Sequence, residues 1–73
     1  MAPIIYVQLL NEGTKVYKPV PAHKIENNIY QLEGFEIYDP QDEQWEFLPG
    51  AFVIVEDKEL SGDKVLVAVK ENN

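Results

Sequence analysis

Apolar residues in this chain recur at every second position rather than at the 3.6-residue spacing of a helix. β-Branched and aromatic side chains fill the runs between clusters of Gly, Pro and Asn, so the pattern predicts strands. In residues 4–10, Ile5, Val7 and Leu9 point one way while Ile4, Tyr6, Gln8 and Leu10 point the other; this strand, apolar on nearly both faces, is expected to be central or covered. Asn11-Glu12-Gly13-Thr14 supplies turn residues, with Gly13 free to take a positive φ, and the chain returns through residues 15–20 as a first hairpin. Pro19 and Pro21 donate nothing to a ladder. The return strand is therefore expected at an edge or to stop near Val20, leaving residues 22–26 as an irregular crossing with Tyr17 and Lys18 partly exposed.

Asn27-Asn28 tolerates the left-handed conformation of a tight turn and leads into a short strand over residues 29–32; Gly34 bends it, and Phe35 and Ile37 continue the alternation. Residues 38–44 (Tyr-Asp-Pro-Gln-Asp-Glu-Gln) have no apolar period, which marks an exposed acidic loop, expected to be the most mobile internal segment. Trp45 and Phe47 alternate with Glu46 and Leu48, Pro49-Gly50 turns the chain, and residues 51–55 read as the most buried strand. That strand continues outward through 56–60 to a turn at Ser61-Gly62-Asp63. Val65, Val67 and Val69 then alternate with Lys64, Leu66, Ala68 and Lys70 before a polar end at 71–73. No helical spacing runs beyond about ten residues, so at most one short helical turn is expected. A few strands that close on themselves lose the exposed edges of an open sheet. The expected fold is all-β: a small five- to six-stranded antiparallel SH3-like barrel, one domain over residues 1–73.

Two blocks, Leu-Leu-Asn-Glu-Gly-Thr-Lys-Val-Tyr-Lys-Pro-Val at 9–20 and Trp-Glu-Phe-Leu-Pro-Gly-Ala-Phe-Val at 45–53, resemble a family of small uncharacterised bacterial proteins with an SH3-like β-barrel. With the terminal Leu-Val-Ala-Val, the likeness spans most of the chain. The Phe-x-Pro-Gly-x-x-Val element at 47–53 is also similar to small barrel domains in which Pro-Gly turns tightly into a buried strand. The resemblance implies a bacterial source and a compact barrel, and carries no activity or site residues with it.

Length and composition narrow the functional classes. Seventy-three residues leave room for one core and no second domain. The absence of cysteine closes the disulfide route, removes thiolate metal sites and redox chemistry, and fits a reducing cytoplasm. Met1-Ala2-Pro3 lacks the basic start of a signal peptide, and apolar runs such as 51–55 fall far short of the ~18 residues that span a bilayer, so no membrane association is expected. The formal charge is −7, from thirteen acids against six lysines and no arginine, a balance that disfavours direct binding to nucleic acid.

Catalytic material is thin. His23 is the only histidine and lies in the proline-flanked segment, where a solvated ring is the ordinary state, since general-base work needs a partner within ~3 Å. Ser61 and Thr14 are the sole hydroxyl residues of their types, and both sit in turns where they bond nearby backbone, which leaves nothing for a hydrolase triad. Glu33, Glu36, Asp39, Asp42, Glu43 and Glu46 form an acidic run with no basic residue, but their spacing matches no calcium loop. A paired-carboxylate glycosidase would need a cleft that a chain of 8.4 kDa has little room for. The chain is therefore expected to be no enzyme, with no cofactor and no metal site.

Aromatic residues beside acidic loops point instead to a protein or peptide partner, possible basic segments included, held by Tyr17, Tyr38, Asp39, Asp42, Glu43 and Trp45. For Trp45, whose phase matches Phe47, core packing is the stronger expectation. Tyr6, Phe52, Ile54 and Leu66, with Ala68, suggest a second, non-core face whose exposure would favour a symmetric homodimer. Two alternatives accompany the interaction module: an acidic mimic of nucleic acid that occupies a basic cleft, and a small-molecule or cation site in the 39–43 loop.

Overall fold

Alternation is realised as strands throughout. The computed structural model describes residues 2–72, in which β1 (Ile4–Leu10), β2 (Val16–Glu26), β3 (Ile29–Leu32), β4 (Gln44–Trp45), β5 (Phe52–Leu60) and β6 (Asp63–Glu71) are the regular elements. β1–β2, β2–β3, β3–β5 and β5–β6 pair antiparallel, and β6 returns to β1, so five strands close a ring in one barrel-like sheet. Four successive reversals leave the last strand pointing the same way as the first. The closing pair is accordingly parallel, the one departure from an antiparallel barrel, and a single residue pair, Tyr6 with Val67, makes it. Leu9 pairs with Val16 and Trp45 at once, which places β4 on the edge of β1 that β6 leaves open further along.

β1 is central, as its two apolar faces predict, but β2 does not stop near Val20. Residues 22–26, expected as an irregular crossing, are the second half of β2 and pair with β3. The prolines explain why this is permitted. The Ala22 N–H donates to the Pro3 carbonyl on the β1 side (2.9 Å), and the Pro21 carbonyl accepts from the Glu33 N–H on the opposite side (2.8 Å). Residues alternate their edges along a strand, so Pro19 and Pro21 both direct their donor-less nitrogens away from β1, and no ladder bond to β1 is lost.

The turns also differ in detail. Asn11, not Gly13, takes the left-handed φ (62°) after β1. Asn27 and Asn28 turn without a positive φ, and a bulge between Lys24 and Glu26 supplies the extra twist. Ser61 and Gly62 have φ of 52° and 86° between the paired Leu60 and Asp63, as the two-residue turn of a β-hairpin demands.

The core gathers Ile5, Val7, Leu9, Val20, Ala22, Tyr30, Leu32, Trp45, Phe47, Val53, Val55 and Ala68. Trp45 and Phe47 are buried together, in line with their shared phase. Ala68 lies inside and Leu66 packs against the core, the reverse of the face expected for them. A register shift, from Ile54 opposite Lys70 to Val55 opposite Ala68, skips Val69 and flips the phase of β6. The polar end expected at 71–73 is tied down as far as Asn72, whose N–H donates to the Phe52 carbonyl (2.8 Å); Asn73 and Met1 lie outside the described residues. Among the described residues no helix is long and apolar enough to cross a membrane.

Candidate functional site

The long excursion between β3 and β5 carries most of the acids, and Gly34 starts it. At φ 95° this residue leaves the strand, and the Ile37 and Tyr38 N–H groups both donate to its carbonyl (3.0 Å each). Phe35 and Ile37 therefore do not continue β3 as their alternation suggested; they stand on a turn, exposed. Phe35 is 71% exposed, yet it has one fixed contact: its ring lies close over Gly50, where an added Cβ would come within 3.2 Å of it. Pro21, Glu33, Gly34, Phe35, Glu36 and Ile37 line a cleft of about 200 Å³.

The excursion then caps one end of the barrel. The Tyr38 ring meets Trp45 edge-on at 4.9 Å between centroids, an arrangement favoured by the two ring quadrupoles. The Asp39 carbonyl accepts from the Asp42 and Glu43 N–H groups (3.0 Å each), and its Oδ1 accepts from the Gln41 N–H (2.9 Å), so the acidic loop folds into one tight turn. Lys18 occupies a core-facing position of β2, opposite Val7. Its Nζ lies 2.9 Å from Glu43 Oε1, which also accepts a long bond from Trp45 Nε1 (3.4 Å). An ion pair whose members are each 28% exposed thus joins the acidic loop to β2.

Hydrogen bonding to Lys18, aided by Trp45 and by the lysine's charge, holds the Glu43 carboxyl below its ordinary 4.5 against the opposing pull of burial. A carboxylate depressed in the folded state adds stability above its unfolded pKa and loses it as pH falls through the folded value. We expect Glu43→Gln to cost about 0.5–1 kcal/mol near neutral pH, the range of partly exposed pairs. In denaturant melts the two proteins should converge well below pH 4.5; a gap that ignores pH would assign the loss to shape rather than charge.

The six residues expected to bind a partner are divided by this arrangement. Tyr38, Glu43 and Trp45 form the barrel cap, Asp39 and Asp42 lie exposed on the turn above it, and Tyr17 points elsewhere. Tyr17 pairs with Gln8 on the outer face and, with Tyr6, Lys15, Val16, Glu59, Leu60 and Ser61, lines a separate groove of about 580 Å³. The self-association set is divided as well. Tyr6 lines that groove, Phe52 and Ile54 lie on the outer face opposite Gln31 and Ile29, and Leu66 turns to the core. Beyond Val55, β5 pairs only with β6, and its other edge runs past Glu56, Asp57, Lys58 and Glu59, charges that discourage edge-to-edge pairing.

Sequence reasoning missed Phe35 because its spacing from Ile37 imitates a strand; the signal against that reading was Gly34, taken as a bend within the strand rather than its end. Among the described residues no three His, Asp or Glu side chains are grouped to hold a metal ion. His23 Nδ1 lies 3.7 Å from Glu33 Oε2, too long for a hydrogen bond. Comparison of the chain with protein-family models, curated proteins and solved structures gives no match, so its surface chemistry is what points to a function.

Proposed function

We propose that this chain is a non-catalytic interaction module, an SH3-like barrel of the reducing cytoplasm, that binds a basic protein segment on the acidic flank between β3 and β5. The observation that carries the reading is Phe35, a large aromatic ring left 71% exposed and flanked in sequence by Gly34 and Glu36. Residues 33–46 contain six acids and no base, and of these only Glu43 has a lysine partner among the described residues. An aromatic anchor amid uncompensated carboxylates suits a partner with cationic side chains, since burial supplies affinity and complementary charge supplies orientation and rate. Compared with the set read from sequence, the anchor moves from Tyr17, Tyr38 and Trp45 to Phe35, while the acidic character stays.

Immobilised base-rich and acid-rich peptides of matched length provide the test. Base-rich peptides should be retained, and retention should fall several-fold as salt rises from about 50 to 300 mM, because exposed charge pairs are screened over about 10 Å or less. Phe35→Ala should weaken retention and Tyr17→Ala should leave it unchanged. Equal retention of both peptide classes, or loss on Tyr17→Ala alone, would sink the reading.

A further inference from the structure

We infer that the cleft beneath Phe35 is a recognition site for a single arginine side chain presented by another protein. This rests on the binding reading above and sharpens it from a basic partner to one guanidinium. Its lining residues join one aromatic ring, Phe35, to the aliphatic Pro21 and Ile37 and to two acids, Glu33 and Glu36. That combination matches a guanidinium better than an ammonium. A guanidinium is planar and weakly hydrated, so it can lie on an aromatic face while its edge donates paired hydrogen bonds to a carboxylate; lysine meets such a site only as a hydrated point charge.

Size and composition limit the occupant further. A cleft of about 200 Å³ admits one long side chain but not a helix, which is about 10–12 Å across. The carboxylates are open to a newcomer: among the described residues the one charged group near the Glu33 carboxylate is His23 at 3.7 Å, and no lysine pairs with Glu36. These 73 residues contain no arginine, so a second copy of them cannot provide the side chain, and a different protein segment is the occupant proposed. The cleft also has a firm base, because Gly34 is buried at its floor and Phe35 is braced by Gly50.

The experiment titrates the labelled full chain with three otherwise identical short peptides, carrying arginine, lysine or citrulline, and follows backbone amide signals. The arginine peptide should shift Gly34, Phe35, Glu36 and Ile37. The lysine peptide should bind at least about fivefold more weakly, and citrulline, flat but uncharged, should not bind measurably. Phe35→Ala and the double variant Glu33→Gln/Glu36→Gln should each lower arginine-peptide affinity about five- to tenfold. These positions are exposed, and unchanged signals from β1 and β5 will show that the variants fold. Equal affinity for arginine and lysine peptides overturns the arginine site while leaving a basic partner in place. Shifts confined to residues 39–43 overturn the location, and no binding by either cationic peptide overturns both this inference and the reading beneath it.

Discussion

Trp45→Ala should leave the chain largely unfolded at room temperature. Trp45 is 2% exposed and sits where β4, the acidic loop and Gly34 converge, with the Tyr38 ring against its edge. Truncating a buried tryptophan costs about 3–5 kcal/mol through lost transfer energy and the cavity left behind. A single core of this size yields only about 3–5 kcal/mol of net stability, so one substitution spends the whole margin. Far-UV circular dichroism and urea titration read the outcome without the indole. Trp45→Phe keeps most of the apolar volume and gives up the long bond to Glu43, and should cost about 1–2 kcal/mol. A cooperative Trp45→Ala melt within about 1 kcal/mol of wild type would refute the packing described here.

Gly34→Ala should be the second most damaging change. Its backbone, at φ 95°, lies where an L side chain is strained, and a Cβ there would stand 3.1 Å from both Trp45 Cη2 and Val20 Cγ1. The conformational penalty is about 1–2 kcal/mol, and forcing atoms into a packed core adds about 1–3 kcal/mol. Two other glycines separate these causes. Gly62 shares the positive φ, at 86°, but has no atom within 4 Å of the added Cβ, so Gly62→Ala should show the backbone part alone. Gly13 has neither constraint, and Gly13→Ala should be neutral or stabilising by up to about 1 kcal/mol through the unfolded chain. Chemical denaturation of the three variants should rank them Gly34, Gly62, Gly13; equal losses at Gly34 and Gly62 would show that Trp45 and Val20 yield freely.

The strands themselves were legible because period-two alternation is a local property. β1, β3, β5 and the turn at Ser61-Gly62 fall where the pattern of Ile5, Val7 and Leu9, of Val53 and Val55, and of the hairpin residues indicates. The errors came where a residue's role depends on which edge or phase it occupies. Pro19 and Pro21 read as a strand end, because sequence does not show that both nitrogens face away from β1. Leu66 and Ala68 read as outward, because nothing local announces the skipped Val69. The acidic surface was legible as a run of charge, and the burial of Trp45 followed from its phase with Phe47. What joins the loop to β2, Lys18 reaching Glu43 across 25 residues of chain, is a tertiary contact without a local signature. Tyr17 and Tyr38, both beside turns, gave no hint that one faces out from β2 while the other caps the barrel.

An odd ring also decides how this domain would behave when joined to others. Because β1 and β6 run side by side in the same direction with Tyr6 opposite Val67, Ile4 and Glu71 are offset by about six residues of strand, roughly 20 Å at 3.3 Å per residue. Proteins fused before β1 and after β6 would be carried at opposite mouths of the barrel, like beads on either side of a spacer, and tension applied through them would load the single Tyr6–Val67 seam in shear rather than peel it open. The flank bearing Phe35 belongs to neither mouth's terminal strand, and a tether at either end would leave it open to a partner.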